Sequence, residues 1–108
     1  LISKNIRSNI DESTYQAIFL TNNQVYFGIL NDINSPYPVL TDVYYVKINE
    51  QGVGEEALSR GTLVKLGNTE SHGPQDTMIL NRDHILFWEN LKSDSQIIQL
   101  IGILKTGK

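Results

Sequence analysis

An all-β fold is what this sequence predicts: one small barrel of five to six short strands, followed by a C-terminal α-helix. Three observations lead there. Apolar, aromatic and β-branched residues gather in short runs without helical spacing. Asn, Asp, Gly and Pro punctuate those runs at close intervals, as turns require. A well-formed helical stripe appears only near the end of the chain, where Ile97, Ile98, Leu100, Ile101 and Leu104 form one apolar face.

The 108 residues suffice for one domain and one modest core. They divide into an N-terminal extension (1–13), the barrel (14–92) and the helix (93–108). In the extension Ile2, Ile6 and Ile10 stand four apart with polar residues between them. That narrow stripe reads either as a frayed terminus or as a helix, one that continues from an upstream anchor or docks on a neighbouring subunit.

"TYQAIFL" opens the barrel as a strand, and Asn22-Asn23 follow it. A two-residue type I′ turn needs positive φ at both centres, which Asn tolerates better than any residue but Gly. "QVYFGIL" returns antiparallel. In "NDINSPYP", Pro36 and Pro38 stop any ladder. "VLTDVYYVKI" is a long third strand, and "NEQGVGEEALSRG" is an acidic loop without period. "TLVKL", the polar loop "GNTESHGPQD", "TMIL", the corner "NRDH" and "ILFWENL" complete the β part. Ser93, with Gln96 three residues on, has the form of a capping box that starts the helix. Gly102 weakens its last turn.

Gly28 interrupts a strand that otherwise holds bulky residues. Closing a barrel from so few strands demands sharp curvature, and strands bend at glycines and bulges. Gly28 is therefore the expected barrel bend.

These residues carry a resemblance. Asn22-Asn23-Gln24, Tyr26, Gly28 and Leu30 are spaced as in the first motif of Sm-like proteins, and "MILNRDHILFWENL" is similar to the second; SH3-like barrels share that strand–corner–strand ending. More closely, "YQAIFLTNNQVYFGIL", "LTDVYYV", "LVKLGN", "HGPQD" and "NRDHILFWENLK" resemble an uncharacterised family of small bacterial proteins, prominent in the candidate phyla radiation. The resemblance implies an SH3/Sm-like barrel. It also implies an N-terminal membrane anchor upstream of this chain, and hence a cell-surface or extracytoplasmic location; a cytoplasmic one is the alternative. It brings no activity with it.

The Sm likeness brings no RNA site either. The loop that would supply Asp and Met-Asn reads "NSPYP", and the corner that would supply Arg-Gly reads Asn81-Arg82-Asp83-His84. Net charge is −3 and pI about 5.2, and the nine Lys and Arg are scattered, so nucleic acid is not the expected partner. The absence of Cys excludes disulfides, thiolate metal sites and cysteine nucleophiles.

Candidate chemistry is thin. Glu70, His72 and Asp76 fall close together but match no ligand motif, and a solvated loop is the preferred reading. Asp83 beside His84 reads as a turn cap rather than an acid–base pair. No catalytic, cofactor-binding or metal residues are assigned. Tyr37, Tyr44, Tyr45 and Trp88 are either core or contact aromatics.

What the strands do suggest is a covered second face. In "ILFWE", Ile85 and Phe87 fall on one alternating set and Leu86 and Trp88 on the other, and all four are apolar. A wall facing water should alternate apolar with polar. The C-terminal helix, a neighbouring subunit or both must cap it. The expectation is a non-enzymatic, self-assembling structural or interaction domain, a homo-oligomer or homopolymer using Ile2, Ile6, Ile10, Leu86, Trp88, Ile97, Leu100 and Leu104. An Sm-like RNA-binding ring is the alternative.

Overall fold

A computed structural model describes residues 9–48 and 61–107. Six strands form one antiparallel sheet: β1 (Gln16–Leu20), β2 (Val25–Asn31), β3 (Val39–Lys47), β4 (Thr62–Lys65), β5 (Thr77–Ile79) and β6 (Ile85–Asn90). One helix, α1 (Gln96–Thr106), follows. The loop expected over 49–61, apart from Gly61, and the stripe residues Ile2 and Ile6 lie outside the described residues. From Asn9 to Ser13, where the expected N-terminal helix would continue, the chain is not helical but turns at Glu12 and Ser13.

The strand order is β4-β3-β2-β1-β6, with β5 also on β3. β1 and β3 run parallel to each other across β2, so β5 and β6 point the same way. Only residues 80–84 join them, three in a 3-10 turn (Arg82–His84). On a flat sheet those two strands would lie four spacings apart, roughly 19 Å. A corner this short connects them because the sheet curls. Ile18, Leu30, Ile33, Leu40, Val43, Leu66 and Leu80 fill the inside, and Ile10, Tyr26, Tyr45, Ile85 and Trp88 pack around them.

β3 serves two strands along one edge. β4 pairs with its second half (Tyr44↔Lys65) and β5 with its first (Thr41↔Thr77). The "GNTESHGPQD" loop leaves and rejoins this edge opposite Asp42 and Val43. Leu66 N donates to Val43 O (2.9 Å), and Val43 N donates to Asp76 Oδ1 (2.8 Å). The Asp76 side chain thus takes the place of a missing ladder acceptor.

Three local readings of the sequence are corrected. The β1–β2 turn is not a two-residue type I′ turn. Asn23 N donates to Leu20 O (3.0 Å), and of Asn22 and Asn23 only Asn23 has positive φ (70°). This is the three-residue form, a type I turn followed by one left-handed residue. Second, Asn81 rather than Asp83 caps the corner, its Oδ1 accepting from Asp83 N (3.0 Å). Third, α1 starts two residues later than Ser93 implies. Ser95 is its cap, with Oγ accepting from Ile98 N (3.2 Å), and Gly107 (φ 75°) ends it. A serine one turn ahead of a glutamine is a weak signal when a second serine stands two residues on.

Gly28 sits where the β2–β3 register shifts, between the Phe27↔Tyr44 and Ile29↔Thr41 pairs. One residue on β2 faces two on β3, so the extra residue of the bulge belongs to β3. There Asp42 adopts a left-handed conformation (φ 54°). What demands glycine at 28 is proximity: a Cβ would lie 2.7 Å from Thr41 O and 2.8 Å from Leu40 Cγ.

Candidate functional site

A charged cluster forms around Asp42. Lys65 Nζ donates to Asp42 Oδ1 (2.7 Å), and Lys105 Nζ and the Tyr15 hydroxyl donate to Asp42 Oδ2, the lysine at 2.8 Å. Lys65 also reaches Asp76 Oδ2 (2.6 Å) and lies over the Tyr44 ring, 4.4 Å from its centre. Partial burial pushes the Asp42 carboxyl up, but hydrogen bonds from Lys105, Lys65 and Tyr15 outweigh it and hold the group at about 2. Hydrogen bonding to Asp42 in turn raises Lys105. Burial and the bond to Asp42 raise Tyr15. Chemically this is a closed knot: the cations are neutralised, and the carboxylate is charged across the neutral range. It ties α1 and the residue just ahead of β1 to β3 and β4.

The Glu70–His72–Asp76 loop is likewise committed to structure. Glu70 accepts from the Tyr45 hydroxyl and from Gly67 N (2.8 Å), and the Tyr45 bond leads in holding its carboxyl below the usual range. Asp76 holds Val43 and Lys65, while His72 is exposed. Among the described residues, no three His, Cys, Asp or Glu side chains gather as a metal site would need.

A buried polar group went unread in the sequence. Gln16 is fully buried and fully bonded. Its Oε1 accepts from Leu30 N (2.9 Å), and its Nε2 donates to Asp11 O (2.9 Å), Thr14 O (3.2 Å) and Asn90 Oδ1 (3.1 Å). It fastens the 9–14 arm to β2 and β6. Period-2 patterning gives no sign of this, because Ala17 beside it is buried too. Asp42 was more legible: a charged residue amid "VLTDVYYV" breaks the local pattern and invites a partner.

The apolar surfaces divide differently from the alternation. Between Phe19 and Leu20 the β1–β6 register shifts, and Leu86 is the extra residue. A one-residue slip reverses the faces that follow. Ile85 and Trp88 therefore both turn toward the core, while Leu86 (60% exposed) and Phe87 (49%) both meet solvent. Leu86 and Trp88 do not share a face, contrary to the simple period. Phe87 stacks on Phe19 across the strands, with ring centres 4.4 Å apart.

The outer face of the sheet carries the row Glu89–Ala17–Phe27–Tyr44–Lys65. Ala17 and Tyr44 are buried although they stand outside the inner core. α1 lies over this side. Ile101 is its one fully buried residue, Lys105 reaches Asp42 and the Tyr15 ring, and Leu104 lines a shallow groove with Tyr44, Leu63 and Lys65. Ile97 and Ile98 are half-buried, and Leu100, Ile103 and Leu104 are exposed. Of the expected contact residues, Ile10 is half-buried against the core, and Leu86, Leu100 and Leu104 are available at the surface.

Compared with protein-family models, the sequence matches none, and a search of curated proteins returns no match.

Proposed function

We propose that this chain is a non-enzymatic, self-assembling interaction domain built on a small SH3/Sm-like barrel and displayed at the cell surface. The curled sheet and the β5–corner–β6 ending support the barrel type. The cell-surface placement is supported by the sequence resemblance alone. Among the described residues no helix is long and apolar enough to cross a membrane.

The observation that carries the assembly reading is the solvent-facing pair Leu86 and Phe87 on β6, a strand at the end of the sheet order. Large apolar side chains grouped on an edge strand invite association. The clustered charges support a structural role as well, since Asp42, Lys65, Asp76 and Lys105 are consumed in holding the fold.

Light scattering over a range of protein concentrations tests this. The wild-type chain is expected to gain mass with concentration. Leu86→Lys, at an exposed position, is expected to shift it toward monomer with a stability change within about 0.5 kcal/mol. A wild-type chain that stays a monodisperse monomer at high concentration defeats the proposal. Salt-sensitive binding of oligo(U) or oligo(A) would favour the RNA-binding ring instead.

A further inference from the structure

We propose that α1 exchanges between two copies of this chain, the helix of each covering the outer sheet face of the other. This rests on the self-assembly reading and names its exchanged element.

α1 lies over part of the outer face. Leu104 lines a groove with Tyr44, Leu63 and Lys65, and Ala17, Tyr44 and the helix residue Ile101 are buried outside the inner core. Lys105 then fixes the helix in register through Asp42, 2.8 Å away. A second copy presents the same row and the same carboxylate. Exchange would therefore lose none of these contacts, which is what makes swapping of a terminal element inexpensive.

The connection permits it. Leu91 is held to the residues just ahead of β1, its N donating to Tyr15 O (2.9 Å) and its carbonyl accepting from Thr14 Oγ1 (2.9 Å). Beyond it Lys92, Ser93 and Asp94 are exposed, and Ser95 N closes their turn on Lys92 O (3.0 Å). Opened, the stretch from Leu91 to Gln96 reaches roughly 17 Å, enough to carry the helix off its own sheet.

The helix is also under-covered in place. At about 100° per residue, Ile97, Ile98, Leu100, Ile101, Ile103 and Leu104 occupy more than half its circumference. Only Ile101 is fully buried, and Leu100, Ile103 and Leu104 face solvent. A helix seated in a single-copy fold usually presents a narrower stripe. This one carries apolar surface to spare for a dimer.

Zero-length cross-linking of the wild-type chain tests the exchange. Nitrogen-15-labelled and unlabelled chains are mixed in equal amounts, unfolded, refolded together at high concentration, and treated with a carbodiimide. That reagent joins an amine to a carboxylate already in contact, so both Lys105–Asp42 and Lys65–Asp42 links form. The Lys65 link lies within one barrel and should always join peptides of one isotope. Exchange predicts that about half of the Lys105–Asp42 links in the dimer fraction are of mixed isotope. A dimer fraction whose Lys105–Asp42 links are all of one isotope overturns the exchange and leaves self-assembly standing. A chain that stays monomeric at every concentration overturns both.

Discussion

Replacing Gly28 by alanine should unfold this domain at a markedly lower temperature. The added Cβ would meet Thr41 O at 2.7 Å and Leu40 Cγ at 2.8 Å, both inside normal contact. Leu40 is fully buried, so its side chain has no open space to enter. The Thr41 carbonyl is backbone and can retreat only by disturbing the Ile29↔Thr41 pairing. Overpacking of this kind costs about 1–3 kcal/mol, and restricting the unfolded chain returns less than about 1 kcal/mol. A net loss of about 1–2 kcal/mol should lower the thermal midpoint by roughly 4–15 °C in a domain of this size. Circular dichroism melts of the two proteins, with urea midpoints alongside, measure it. An unchanged or higher midpoint for Gly28→Ala would show that β2 and β3 part freely at this point, and the reading of close approach would be wrong.

Three more outcomes are expected. Asp42 has a folded pKa of about 2, below its ordinary 3.8, so its stabilisation is complete above pH 4 and lost as pH falls from 3.8 to 2. Allowing for solvent screening, that amounts to about 1–2 kcal/mol; urea midpoints should fall less steeply over that window in Asp42→Asn, whose side chain tolerates the left-handed backbone. Gln16→Ala strands the buried Leu30 N–H and loosens the 9–14 arm, and should cost about 2–4 kcal/mol with faster hydrogen exchange at Leu30. Ser95→Ala removes the helix cap and should cost about 1 kcal/mol, whereas Ser93→Ala should stay within about 0.5 kcal/mol; a larger loss for Ser93→Ala in thermal melts would return the cap to Ser93.

The amino-acid order by itself determined the kind of element for the six strands and the C-terminal helix. Runs such as "YQAIFL" and "VLTDVYYV" are strands because their side chains suit a pleated, half-buried surface, and the isoleucine-rich stretch after Ser95 is a helix because its period is near 3.6. Local chemistry of this sort is carried by neighbours in the chain. Tertiary structure alone decided which way side chains face once a ladder slips. The extra residue at Leu86 turned Phe87 outward and Trp88 inward, and the one at Asp42 aimed a carboxylate at lysines 23 and 63 positions away. A bulge is created by the fit between two strands, and period-2 reading follows only one of them. Gln16 was obscure because its partners Leu30 and Asn90 lie on the strands either side of β1, a neighbourhood set by the pairing of three strands and by no single segment.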